Sequence, residues 1–303
     1  MTITIAVLFA VVAAGCFVAA ARIQYAAVRT VAGGGRLRLR ALARLCRDPR
    51  WLGGMCALAG GAGLHAVSLA FAPLAVVQPV GALSLVAITM LQARDESRRL
   101  SVPVVCAVAA STLGIAIFVV LAASTTVLAP AAAGGSLITA FVVAALAVAA
   151  VAVGLLGPAG VRCPALGVAG GCCYGLVAVL THIAALQLRF GTAVPLLPVL
   201  GIAVAAVLGG AAVQHAYASG PPDVVMACTT VIDPLVAVGA GLLLLDEAAA
   251  ASAAVVAGQI ACAALATAGM AFLARSRGGT QRHDISLRND RVPVGASLEG
   301  STN

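Results

Sequence analysis

Charge is what this chain has least of. Only 9% of its 303 residues are Asp, Glu, Lys or Arg. A soluble domain carries about a quarter, so a soluble enzyme is excluded. Lysine is absent altogether, and all 18 basic residues are arginine. Aromatics amount to 4%, which disfavours a barrel with aromatic girdles and leaves a helical bundle. The nine cysteines form no CxxC pair. Cys56, Cys106, Cys172, Cys173, Cys228 and Cys262 lie inside apolar runs, where cysteine serves as a small packing residue rather than a disulfide or metal ligand. There is no nucleophile motif, phosphate-binding loop or zinc spacing. Neither an enzyme nor a cofactor is expected.

What is present is apolar length. Hydrophobic residues make up 62% of the chain, with a mean hydropathy of +1.10. Roughly 20 apolar residues cross one bilayer, and nine such runs follow one another at about 2–21, 51–71, 73–92, 101–122, 136–157, 164–187, 195–217, 222–245 and 251–274. The expected fold is an all-α polytopic membrane protein of about nine transmembrane helices. Two joints are short: Ala72-Pro73, and Ser219 to Pro222. Residues 12–16, "VAAGC", resemble a lipoprotein cleavage box, but no basic residue precedes the first run and further spans follow it, so it reads as a retained helix.

The arginines orient the bundle. With nine spans, the arginines of 22–50, 94–99, 162 and 275–291 all fall on one side, 17 of the 18, and only Arg189 falls opposite. The positive-inside rule makes the 17-arginine side cytoplasmic and puts the N-terminus outside, in a multi-pass protein of the cell membrane. The Arg-rich 22–50 segment is then a cytoplasmic loop lying on anionic headgroups. The expected partners are the lipid bilayer and a small solute or cation, not nucleic acid, and a homodimer is compatible with this layout. The organisation reads as a first transmembrane half at 1–123, a second at 136–275 and a polar, disordered tail at 276–303.

The halves echo each other. "HAVSLAFAPLAVVQPVGALSLVAITMLQARDE" runs from His65 to Glu96, and "HAYASGPPDVVMACTTVIDPLVAVGAGLLLLDE" from His215 to Glu247. Both open on His-Ala, pass a proline joint, place a proline in the next span (Pro79, Pro234) and close on Asp-Glu. The offset is 150 residues at the start and 151 at the end. The first Asp-Glu pair then lies inside and the second outside, as in an inverted repeat, an arrangement used for alternating access.

The stretch "WLGGMCALAGGAGLHAVSLAFAPLAVVQPVGALSLV" (51–86) resembles the magnesium-transporter NIPA group of the drug/metabolite transporter superfamily. It shares the tryptophan before a Gly-rich span, the "FAPLAVVQPVGALS" joint and the acid at the end of the next span. "GPPDVVMACTTVIDPLVAVGAGLLLLDE" is similar to the corresponding segment of EamA-type transporters. The resemblance covers the layout of roughly 1–275 and implies a transporter. The superfamily's usual plan is five plus five spans. Here the segment 29–47 is too charged to be the second of them, and nine spans is the number the NIPA group implies.

Polar residues at membrane depth carry the functional reading, because each is costly there. Asp233, followed by Pro234, sits near the middle of the eighth run, where proline frees backbone groups. It reads either as a site for a proton or cation or as an inter-helix lock. His65, His182 and His215 read either as hydrogen-bonded core histidines or as a proton relay with Asp233. Gln78, beside Pro79, is taken as the counterpart of Asp233 in the first half. Tyr174, Thr181, Gln214, Tyr217, Thr229 and Thr230 could add polar groups, although threonine commonly bonds back to its own helix. The stripes Gly167/Gly171/Gly175 and Gly201/Ala205/Gly209 read as helix-packing faces.

The leading function is a secondary transporter of a small solute. The family likeness points to magnesium, but one buried acid is a thin site for an ion that prefers several oxygen ligands. A proton-coupled metabolite exporter is the rival. The other class is a non-transporting or lipid-flipping membrane component.

Overall fold

The computed structural model describes residues 2–32, 37, 39–71, 74–97, 99–124, 133–189, 196–244 and 252–289. Within these the regular structure is all helical: α1 (Thr2–Ala32), α2 (Leu39–Leu45), α3 (Pro49–Phe71), α4 (Leu74–Asp95), α5 (Val102–Ala123), α6 (Ala133–Leu156), α7 (Ala159–Arg189), α8 (Leu196–Ser219), α9 (Pro222–Leu244) and α10 (Ala253–Asn289). A helix of 22 residues is about 33 Å long at 1.5 Å per residue, enough for the hydrocarbon core. Among the described residues, six helices are both long and apolar enough to cross a membrane: α1, α5, α7, α8, α9 and α10.

The outward faces of these helices and of α6 explain why water is the wrong solvent. Leu113 and Ile117 on α5, Phe141 and Leu146 on α6, Val204 and Leu208 on α8, and Ile260 and Leu265 on α10 are all exposed. Soluble proteins rarely expose so much contiguous apolar surface. The chain is an integral membrane protein.

Three boundaries differ from the apolar runs. α1 does not stop at residue 21 but continues through Arg22 and Arg29 to Ala32, because arginine is a good helix former and its long side chain can reach past the apolar zone. The Arg-rich 22–50 segment is therefore partly helical, and it also contains α2. α7 starts at Ala159 and holds Pro164 within its second turn. The stretch expected to be disordered from 276 is helical as far as Asn289. A helix already formed in the membrane propagates cheaply, and no proline intervenes before position 293. Residues 290–303 lie outside the described residues.

Local signals set the helix starts. Asp48 Oδ1 accepts from the Arg50 N–H at 2.7 Å, with Pro49 as first residue of α3; a capping acid followed by proline is a strong helix start. At the α6–α7 joint Arg162 Nε donates to Gly154 O at 3.2 Å, a cation at the negative end of α6.

The glycine stripes are packing faces. A Cβ placed on Gly167, Gly171 or Gly175 would stand 2.8, 2.8 and 2.7 Å from the Cβ atoms of Cys228, Ile232 and Val236. α7 and α9 thus run parallel in near backbone contact, four residues per step on each helix. A Cβ on Gly209 would meet that of Cys173 at 2.8 Å, and one on Gly201 the Leu180 side chain, so α8 returns antiparallel along α7. α5 and α10 are equally close, Gly114 against Ala266 and Gly269 against Ala107.

By chain order the helices are taken as two sets, α1 to α5 and α7 to α10, although α5 and α10, one from each, pack more extensively than α9 and α10 do. α1 packs on α3 and α4, and α4 on α5; α7 packs on α8 and α9, and α9 on α10. Between the sets, α4 meets α9, α5 meets α10 and α1 meets α8.

One buried group is a liability. Gln259 on α10 is buried, and among the described residues neither end of its amide has a hydrogen-bond partner. An orphaned buried amide costs about 1–3 kcal/mol. The near-isosteric Gln259→Met should therefore raise the thermal midpoint in detergent by a few degrees; an unchanged or lower midpoint would mean that the amide is satisfied by water.

Candidate functional site

A cavity of about 260 Å³ lies where the two helix sets meet. α1 contributes Phe17, Ala20, Ala21 and Gln24; α3 Leu58 and His65; α4 Gly81, Ala82 and Ser84; α5 Ile115, Ala116 and Val119. The other set supplies Tyr174 from α7, Val213 and Tyr217 from α8, and Met226, Thr229, Thr230, Asp233 and Pro234 from α9. Neither set encloses the space alone.

α9 carries the chemistry. Met226, Thr229, Thr230 and Asp233 recur at helical spacing, so they share one face. Asp233 lies eleven residues into α9, about 16 Å from its start and near mid-depth. Pro234 has no N–H to give the Thr230 carbonyl, so that oxygen is free to accept from another donor. The Thr229 hydroxyl hydrogen is turned toward its own helix, with Val225 O and Met226 O both 3.1 Å away, which leaves its lone pairs for a visitor. Opposite, His65 stands tilted against Phe17 with ring centroids 6.3 Å apart. Its Nδ1 is buried and without a hydrogen-bond partner among the described residues.

Below the cavity, toward the end where α3 and α9 begin and α4 and α8 finish, two layers close the bundle. The first is amide and aromatic. Trp51 Nε1 donates to Gln214 Oε1 at 3.0 Å, and Gln214 Nε2 donates to Gln24 Oε1 at 2.7 Å. Beside them Tyr25 and Tyr217 meet edge to face at 6.2 Å. These contacts tie α1 and α3 to α8.

The second layer is ionic. Arg277 of α10 donates through Nη1 to Glu96 Oε2 at 3.0 Å, and its Nη2 lies 2.6 Å from Asp223 Oδ2. Asp223 is fully buried, and its Oδ1 takes the Val224 N–H at 2.9 Å, an acid in the first turn of α9 where the helix dipole favours it. Arg22 and Asp95 pair at 2.6 Å nearby, both more exposed. One guanidinium thus joins α10, α9 and the end of α4, and so clasps the two helix sets together.

Comparison of the chain with protein-family models, with curated proteins and with solved structures found no match. The site rests on its own geometry.

Of the residues singled out from the sequence, Asp233, Pro234, His65, Tyr174, Tyr217, Thr229 and Thr230 are brought together around the cavity. His215 is not in its wall; its Nδ1 lies 2.8 Å from Ala211 O, one turn back on α8. Thr181 is exposed on α7. The side chains of Gln78, Pro79 and His182 lie outside the described residues. By position, however, Gln78 is in the first turns of α4, not at the depth of Asp233. At the repeat's own offset of 150 the counterpart of Asp233-Pro234 is Leu83-Ser84, and it is Ser84 that lines the cavity. Gln24 escapes the sequence reading because the apolar run ends before it. Among the described residues, no group of three or more His, Cys, Asp or Glu side chains is placed to hold a metal ion.

Proposed function

We propose that the chain is a secondary transporter of a small solute, working by alternating access in the cell membrane. The observation that carries this reading is a largely apolar cavity shared by two helix sets, with an acid at mid-depth in its wall and, toward one end, a closure two layers of contacts deep. A solute held there touches both sets, so relative rocking of the sets would expose it to either side.

The layout supports the reading further. At the 150-residue offset α1, α3, α4 and α5 correspond to α7, α8, α9 and α10, and the neighbour relations of the first set recur in the second. Two inverted halves would produce that recurrence, with α3, α4 and α6 completing nine spans. α6 is then the span left without a counterpart among the described helices, and the Arg-rich segment, with its short α2, is a connection rather than a replaced span. The clasped end is also the arginine-rich end, which the positive-inside rule makes cytoplasmic. The conformation with the clasp formed is closed toward the cytoplasm.

The role of Asp233 is to bind the cationic partner, a proton or the solute itself. The resemblance to the NIPA group makes magnesium one substrate to test and proton-coupled metabolite exchange the other. Flux into proteoliposomes loaded with pH- and magnesium-sensitive dyes tests the whole reading. Asp233→Asn should reduce the protein-dependent flux at least a hundredfold while the protein still elutes as a folded species. Flux that is indifferent to Asp233→Asn and to Ala116→Phe, which fills the cavity from α5, sinks the central-site reading.

A further inference from the structure

Charge, donors, walls and size together narrow what the cavity can hold; the inference rests on the transport reading but narrows it to a chemical class. Among the described lining residues Asp233 is the sole carboxylate, and no arginine stands beside it. With the imidazole of His65, which lines the same space, in its neutral form, a ligand that leaves no net charge at this depth carries one positive charge, since an unpaired charge out of water is costly. Acceptors on the α9 face include the carboxylate and the lone pairs of Thr229, and Pro234 withholds from the Thr230 carbonyl its usual helical donor; the Tyr174 hydroxyl stands in the same wall. Such a set matches a group with several N–H donors.

The rest of the wall is aromatic and apolar. Phe17, Tyr174 and Tyr217 face the same space, with Ile115, Val119 and Val213 between them. Aromatic faces attract organic cations, and apolar walls cover a hydrocarbon body. Neither can replace the water shell of magnesium, which is held through carboxylates and retained waters in octahedral geometry. The volume, about 260 Å³, is slightly below the range of drug-sized pockets.

We propose that this cavity takes a small organic monocation, a protonated amine on a short apolar or aromatic body, with the ammonium on Asp233 and the body against Phe17, Tyr174 and Tyr217.

The full-length protein in detergent provides the test, read by calorimetry and by the fluorescence of Trp51, the chain's single tryptophan, whose partner Gln214 bonds the cavity residue Gln24. The probes are phenethylamine, its neutral counterpart 2-phenylethanol, and magnesium chloride. Phenethylamine should bind saturably and lose at least tenfold in affinity in Asp233→Asn. 2-Phenylethanol should show no binding sensitive to that change. Ala116→Phe leaves the carboxylate in place and should exclude phenethylamine while still admitting methylamine, which separates a filled cavity from a misfolded protein. Saturable magnesium binding that depends on Asp233, without amine binding, overturns the amine class and leaves the transport reading standing. Equal binding of the amine and the alcohol overturns it as well. Amine binding without amine flux in proteoliposomes keeps the ligand class and overturns transport.

Discussion

Arg277→Met is expected to destabilise the purified protein by about 3–5 kcal/mol, the range for removing one partner of a buried ion pair. The reason is what it leaves behind. Asp223 has no exposed surface and Arg277 only 12% at its side chain, so without the guanidinium a carboxylate remains buried with Glu96 close by and, among the described residues, no cation paired with it. The same substitution at Arg22 should cost no more than about 1 kcal/mol, because Arg22 and Asp95 are 36% and 50% exposed and water screens them. Adding Asp223→Asn to Arg277→Met should recover most of the loss, since the orphaned charge is then gone. Thermal and denaturant midpoints in detergent for Arg22→Met, Arg277→Met, Asp223→Asn and the double variant check the claim. Equal small losses at Arg22 and Arg277 would mean that the clasp is solvated and holds nothing.

The clasp also shows where sequence reading stops. Arg277 is one arginine among 18, Asp223 reads as an acid at a helix start, and Glu96 as the end of a span. Nothing local marks them as partners. Glu96 and Arg277 are 181 residues apart, and only the folded bundle brings them together.

By contrast, the apolar runs, the glycine stripes and the arginine-rich end are legible, because each is a repeated local pattern with a single physical cause. Asp233 stands out for the opposite reason: an acid midway along an apolar helix is costly there and calls for a partner or a ligand. Gln24 is hidden because the hydropathy of the first run ends at Arg22, whereas the helix does not. Gln78 pairs with Asp233 by its neighbouring proline, yet the 150-residue offset pairs Asp233 with Leu83 and Pro234 with Ser84. A shared residue type is the weaker guide there, because register decides depth.

The two closing layers differ in what they can do. The amide chain from Trp51 through Gln214 to Gln24 touches the cavity wall directly, so a solute that moves Gln24 moves the hydrogen bond of Trp51. The ionic layer lies beyond it and joins the end of α4 to α9 and α10. Opening toward that end requires both to part. In the proposed transport cycle the buried guanidinium would exchange two carboxylates for water, a threshold that solute binding would help overcome.

Gly175→Leu should abolish both folding yield and transport, whereas Gly210→Ala should stabilise the helix it lies in by up to about 1 kcal/mol. The contrast follows from what each added side chain would meet. At Gly210 nothing stands within 4 Å of a new Cβ. At Gly175 the Cβ alone would lie 2.7 Å from Val236 Cβ and 2.8 Å from the Asp233 backbone oxygen, closer than atoms can pack. α7 and α9 would have to separate at the level of Asp233, and overpacking costs of about 1–3 kcal/mol would come with a displaced site. The milder Gly175→Ala should fold and lose transport in part. Pairing it with Val236→Gly removes one of the two obstructions, and so should restore some of the flux, although the Asp233 carbonyl still blocks full recovery. Flux per folded molecule, normalised by gel-filtration yield, distinguishes the cases. If Gly175→Leu transports normally, the close contact of α7 and α9 does not position Asp233, and the acid must be held from α4 instead.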